Sequence, residues 1–223
     1  RTVADNIATV PRLLDWSDDR VSARVTELLE LFQLDPGLYA AKFPHELSGG
    51  QQQRVGVARA LAAKPNVLLM DEPFGALDPI IRTKAQDDLL GIQRRFGTTI
   101  ILVTHDIDEA FRLGDRVAVM SQGRLLQHDR PAVLLTKPAD AFVAQLIGSG
   151  DRSLKLLSLT MAGEVAEPGN AAGPTVPWSL TLRDVLAELV WSGAAAATVV
   201  GPDGDPIGHV TLASLLARGR QVT

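Results

Sequence analysis

The sequence predicts an α/β protein on two main observations. Asn66-Val67-Leu68-Leu69-Met70 and Thr99-Ile100-Ile101-Leu102-Val103 are short, continuous apolar runs, as expected of parallel strands buried on both faces. Between them a segment from about Ile80 to Phe96 follows Pro79, reads as helix, and is ended by Gly97. Strand and helix in alternation imply a sheet whose chemistry gathers at the strand C-terminal ends.

The first 63 residues, by contrast, read as helical throughout. Thr2-x-x-Asp5 has the form of a capping box, and its helix is expected to stop before Pro11. From Ser17, Val21, Val25, Leu28, Leu29 and Phe32 fall on one face with Arg24, Glu27 and Glu30 elsewhere, until Asp35-Pro36-Gly37 breaks the pattern. A third helix is expected from Gln51 to Ala63, with Val55, Ala58, Leu61 and Ala62 on its packed face. Ser48 is its natural N-cap, paired with Gln51 three residues on, while Gly49 and Gly50 leave the first amides open to an anion. Taken alone, Ser-x-x-Gln is an ordinary capping box.

Beyond the second strand, Ile107 to Leu113 reads as helix and Arg116 to Met120 as strand, with a Gln122-Gly123 turn leading back through Leu125-Leu126. Residues 148 to 177 hold Gly148, Gly150, Gly163, Pro168, Gly169, Gly173, Pro174 and Pro177 and read as a loose connection, although Leu154 to Leu159 is apolar enough to pack. A compact unit follows: a helix Leu182 to Val190 capped by Ser179, strands Thr198 to Val200 and Ile207 to Val210 about the turn Gly201-Pro202-Asp203-Gly204, and a helix Leu212 to Ala217.

Composition narrows the function classes. The 223-residue chain carries a net charge of −4 and no basic cluster, so nucleic acid is not an expected partner. It has no cysteine, which removes disulfides and thiolate metal sites. The longest apolar stretch, Leu186 to Val200, is interrupted by Glu188, Ser192 and Gly193 and does not read as a membrane span.

The two strand ends carry the candidate chemistry. Asp71 and Glu72 leave the first strand together, and His105-Asp106 leave the second after Thr104. A carboxylate in such a place can hold Mg²⁺, its neighbour can take a proton from an attacking water, and a histidine can donate to a phosphate. Each residue also has a bland reading, since acidic pairs cap helices and most histidines are structural. Their joint occurrence downstream of Ser-Gly-Gly-Gln is what favours the functional one.

With these residues in view, residues 1 to about 148 resemble the latter part of an ABC transporter ATPase, a P-loop NTPase cassette. Leu47 to Gln51 match the signature motif of that family, Val67 to Glu72 its Walker B strand, Ala76-Leu77-Asp78 its D-loop and His105 its switch histidine. The resemblance implies a helical signature subdomain over 1–63 and the Walker B and switch half of the core over 64–148. It further implies ATP bound between two cassettes, with Ser48, Gly49, Gly50, Gln51 and Asp78 at the nucleotide, Asp71 at Mg²⁺, and Glu72 and His105 catalytic. Asp71 to Asp78 is a wording common in bacterial importers, and Thr104 to Phe111 is similar to those for glycine betaine, choline and other quaternary amines. The implied partners are a second ATPase subunit, transmembrane permease subunits and a substrate-binding protein, on the cytoplasmic face of the membrane.

The sequence departs from that family at one essential point. A P-loop needs Gly-Lys-Ser/Thr, yet the five lysines follow Ala41, Ala63, Thr83, Thr136 and Leu154. The first glutamine, Gln33, lies inside a helix rather than in a Q-loop, and the only tyrosine is Tyr39. With Arg1 in place of Met, this leads to the expectation of an N-terminally truncated sequence, inactive alone and short of a sheet neighbour beside Asn66 to Met70. The alternative is a non-catalytic regulatory or pseudo-ATPase protein. Within the last segment, 149–223, a span of about 153 to 218 resembles a CBS domain through Val199-Val200-Gly201-Pro202-Asp203-Gly204 and Gly208-His209-Val210-Thr211. Ser214 stands where nucleotide-binding CBS motifs commonly have Asp, and a small dimerisation module without ligand is the alternative.

Overall fold

The computed structural model describes residues 1–75, 77–148 and 150–220. They divide into two compact units, 1–105 and 106–223, each with its own architecture.

The first unit begins with helix α1 (Val3–Leu13), whose Thr2/Asp5 capping box forms as the sequence indicates. The helix does not stop before Pro11. It runs on to Leu13, because in the last turn the missing proline N–H forfeits a single intrahelical bond while the buried ring packs. Helix α2 (Asp18–Leu31) buries Val21, Val25, Leu28 and Leu29 as expected, and Asp35 caps the short helix α3 (Pro36–Tyr39). A 3-10 turn, Pro44–Glu46, leads to helix α4 (Gly49–Leu61), which packs on α1 and α2 through Val55, Ala58 and Leu61.

Arg24 overturns the expectation that it lies off the packed face of α2. It is 4% exposed, and its Nε and Nη2 donate to the carbonyls of Ala62 and Leu61 at 3.2 and 2.8 Å. These are last-turn carbonyls of α4, which have no partner inside their own helix, and a cation there also offsets the negative end of the helix dipole. Nη1 pairs with Glu27 at 2.8 Å, and the guanidinium lies 5.5 Å from the centre of the Phe96 ring.

Strands β1 (Val67–Asp71) and β2 (Thr99–Val103) form a parallel pair in the register Val67 opposite Thr99 to Asp71 opposite Val103. Helix α5 (Pro79–Phe96), capped by Asp78 and closed by Gly97 at φ +62°, connects them. The expectation of burial on both faces is not met: Leu68 and Met70 are buried, while Val67, Leu69, Ile101 and Val103 are all at least half exposed. Among the described residues the pair has packing on one face only, and each strand keeps one unpaired edge.

The second unit starts with helix α6 (Ile107–Leu113), capped by Asp106, and a hairpin of β3 (Val117–Ser121) and β4 (Arg124–Asp129). This hairpin is a sheet of its own and does not extend β1–β2. Helices α7 (Pro131–Thr136) and α8 (Ala141–Ile147) pack on it around Phe111, Val119, Leu134, Leu135, Val143 and Ile147. The glycine- and proline-rich stretch is more ordered than its composition implies. It contains α9 (Arg152–Ser158), α10 (Ala162–Val165) and β5 (Thr175–Pro177). Leu157 of α9 joins the C-terminal core, while Leu156 and Leu159 pack against the hairpin core.

That C-terminal core is closed by α11 (Leu182–Ser192), β6 (Ala196–Val200), β7 (Pro206–Thr211) and α12 (Leu212–Gly219). The sheet order is β5-β6-β7, with β5 parallel and β7 antiparallel to β6. Thr181, not Ser179, caps α11, its Oγ1 accepting from the Asp184 N–H at 3.2 Å. At Gly208 a Cβ would lie 2.5 Å from the Glu167 carbonyl oxygen, so only glycine lets the Glu167–His209 bridge form beside it.

The Arg24 cluster yields a stability prediction. Arg24→Ala leaves two carbonyls unpartnered and a cavity beneath α2, at a cost of about 3 kcal/mol, read as a lower urea midpoint. The Arg24 hydrogen bond, against opposing partial burial, holds the Glu27 carboxyl below its ordinary value. A depressed carboxyl contributes stability that is complete above its unfolded pKa and lost as pH falls through the folded value. Acidification below about pH 4.3, the ordinary glutamate value, should therefore weaken the parent chain more than Glu27→Gln, as compared by urea unfolding across pH.

Candidate functional site

The expected site residues lie in two groups within the first unit. The first is the start of α4. Ser48 Oγ accepts from the Gln51 N–H at 3.4 Å, and Gln51 Oε1 accepts from the Ser48 N–H at 3.0 Å, completing the reciprocal box. The amides of Gly49 and Gly50 have no hydrogen-bond partner among the described residues. The two glycines differ in their surroundings. A Cβ on Gly49 would meet open space, whereas one on Gly50 would come 3.2 Å from Ile81 Cγ2 of α5. Gly49 thus keeps an approach to the amides clear, and Gly50 lets α4 begin close against α5.

The second group stands at the end of the parallel pair. Asp71 is the exposed last residue of β1, and Glu72 follows it with φ +44°, a left-handed conformation that is uncommon for a non-glycine residue. The Glu72 N–H donates to the Val103 carbonyl at 2.8 Å and its own carbonyl accepts from the Gly75 N–H at 3.2 Å, so the strand ladder holds the turn in place. That turn brings Glu72 Oε1 within 3.0 Å of His105 Nδ1 at the end of β2. Residues 33 positions apart are joined because β1 and β2 are parallel and in register. An ionised carboxylate can only accept, so Nδ1 carries the proton of this bond and Nε2 of a neutral ring is an acceptor.

Asp78 plays a visible local part: its Oδ1 accepts from the Ile80 and Ile81 N–H groups, both at 3.1 Å, and starts α5. Ala76, in the same expected Ala76-Leu77-Asp78 segment, lies outside the described residues. Sequence reasoning missed three side chains that fix these groups. Tyr39 Oη receives a hydrogen bond from Gln51 Nε2 at 3.1 Å, Gln53 Nε2 donates to the Pro73 carbonyl just after Glu72, and Arg54 pairs with Asp88 at 3.3 Å. Gln53 and Arg54 sit in the expected helix, yet nothing in the helical period points to partners 20 and 34 residues away.

The donor set bears on which groups the site could hold. Among the described residues, no three His, Asp or Glu side chains converge as a cation site, so this chain offers Mg²⁺ at most a carboxylate or two. That still fits an ion that keeps several waters and binds phosphate oxygens. Two free amides at a helix N-terminus likewise fit a terminal phosphate. No helix among the described residues is long and apolar enough to cross a membrane.

Comparison with known proteins agrees with this chemistry. The ABC transporter family matches residues 1–75, which include the start of α4, Asp71 and Glu72. The glycine betaine uptake system ATP-binding protein YehX of Escherichia coli (strain K12) is 48% identical over 216 residues, 96% of this chain and 70% of that protein. The osmoprotectant import ATP-binding protein OsmV of Salmonella typhimurium is 47% identical over 211 residues, covering 94% of this chain and 54% of the relative. The carnitine transport ATP-binding protein OpuCA of Listeria monocytogenes is 50% identical over 147 residues, 66% of this chain and 37% of its own length. The chain therefore spans about half to two thirds of the length of relatives that it matches almost throughout, and it belongs to the ABC transporter ATP-binding proteins of the glycine betaine and osmoprotectant importer family.

Proposed function

We propose that this chain is part of the ATP-binding, energy-coupling subunit of an ABC importer for glycine betaine, choline or a related quaternary amine. The observation that carries the reading is the start of α4, where the capping box leaves the Gly49 and Gly50 amides uncovered. In this reading 1–148 is an ATPase domain lacking its N-terminal P-loop part, and 149–223 is a linker and CBS domain. Two such subunits face each other at the cytoplasmic side of the membrane, docked on permease subunits that receive substrate from a binding protein.

The roles follow from the geometry. Ser48, Gly49, Gly50 and Gln51 of one subunit would face the terminal phosphate of ATP gripped by the other, with Asp78 near the same nucleotide. Asp71 would hold Mg²⁺, directly or through water, and the bound ion would offset charge on the phosphate oxygens. Glu72 takes the proton of the attacking water, and its fixed backbone aims the carboxylate. His105 orients that carboxylate through Nδ1; for it to donate to a phosphate through Nε2 at the same time, the ring must be protonated.

The absence of any Gly-Lys pair favours a second reading, a pseudo-ATPase that lends its signature segment and C-terminal module to another subunit's site. Either way, nothing in this chain cradles the inner phosphates, and it is not expected to turn over ATP unaided. Within the C-terminal module, Ser214 closes a capping box with Thr211, its N–H donating to Thr211 Oγ1 at 3.1 Å and its Oγ to the Thr211 carbonyl at 2.8 Å. An Oγ so engaged argues against a ribose contact at that position and leaves the ligand-free dimerisation module as the competing account.

In the complete protein, Glu72→Gln should retain ATP binding and lower turnover by roughly 10²–10⁴-fold. Nucleotide binding and steady-state hydrolysis, measured side by side, check this; unchanged hydrolysis removes Glu72 from the role of base.

A further inference from the structure

We propose that Tyr39 is a positioning residue for the signature segment, acting through Gln51; this rests on the reading of α4 given above. The Gln51 side chain is held at both ends of its amide. A backbone N–H can only donate, so the 3.0 Å contact with the Ser48 N–H fixes Oε1 on that side. Nε2 must then point away, and it points at Tyr39 Oη, 3.1 Å off. The phenol oxygen is an acceptor placed so that the amide has one favourable orientation.

Tyr39 is itself well held. It ends α3, its N–H donates to the carbonyl of the cap residue Asp35 at 2.9 Å, and its own carbonyl accepts from the Lys42 N–H at 3.1 Å. The Lys42 ammonium lies 4.6 Å from the centre of its ring. The tie is needed because the box is exposed. The reciprocal bond from the Gln51 N–H to Ser48 Oγ is long, at 3.4 Å, and water competes for every group in it. Without the phenol, the Gln51 amide can rotate or swing into solvent, the Ser48 N–H loses its acceptor, and the residue that sets the direction of the free Gly49 and Gly50 amides becomes mobile. Tyr39 does not touch the nucleotide in this scheme; it sets how sharply the amides are aimed.

Tyr39→Phe removes the oxygen and leaves the ring and its Lys42 contact. In the complete protein, thermal unfolding should be unchanged, the KM for ATP should rise about fivefold, and kcat at saturating ATP should stay within about twofold, as for the loss of one hydrogen bond. In a Gln51→Met background, where the tie is already gone, Tyr39→Phe should add nothing. In the 223-residue chain, the ¹⁵N-labelled Gln51 side-chain amide should lose its distinct shift in Tyr39→Phe. An unchanged KM for Tyr39→Phe alongside a raised KM for Ser48→Arg overturns this inference alone, as does a Tyr39→Phe effect that persists in the Gln51→Met background. If Ser48→Arg also leaves KM unchanged, the reading of α4 fails and this inference with it.

Discussion

Helix α4 is fixed at its two ends by side chains from elsewhere in the first unit, and the candidate site depends on that constraint. At the C-terminus Arg24 donates to the carbonyls of Leu61 and Ala62, so the negative end of the helix is met by a buried cation. At the N-terminus the box of Ser48 and Gln51 satisfies two of the exposed amides and leaves those of Gly49 and Gly50 free. Between these ends the face of Val55, Ala58 and Leu61 locks the rotation of the helix about its axis. A helix clamped in this way presents its open amides in one direction, which is the condition for recognising an anion by backbone alone.

The second group is organised by a different force. The parallel ladder of β1 and β2 places Asp71 and His105 at the same end of the sheet, and the turn at Glu72 spends backbone strain to bring its carboxylate to the imidazole. The Gln53 bond to the Pro73 carbonyl ties that turn to α4, so both groups share one scaffold. The two groups offer complementary chemistry, donors in one and acceptors in the other. Neither provides the lysine and amide cradle that a triphosphate needs, and this is the physical basis for assigning the chain half of a shared site.

Much of the architecture is legible in the sequence because local rules govern it. The Thr2/Asp5 and Ser48/Gln51 boxes, the Gly97 stop and the extent of α6 all follow from caps and periodicity over a few residues. Failures arise where distant parts decide. Pro11 stays in its helix because the core holds it, and Arg24 is buried because carbonyls some 37 residues away require a donor. The apolar runs of β1 and β2 promised two covered faces, but burial is set by what packs on a strand, and Leu69 and Ile101 stay exposed. In the site, residue types and spacing pointed to Ser48, Asp71, Glu72 and His105, whereas the contact of Glu72 with His105 and the tie from Tyr39 needed the folded chain.

The central claim is that the start of α4 addresses a nucleotide gripped by a second copy. A structure of the complete dimer trapped with ATP by Glu72→Gln tests it most directly. The account predicts Ser48 Oγ and the amides of Gly49 and Gly50 within hydrogen-bond distance of the terminal phosphate held by the opposite subunit. ATP bound with those groups facing solvent, remote from any phosphate, would contradict it.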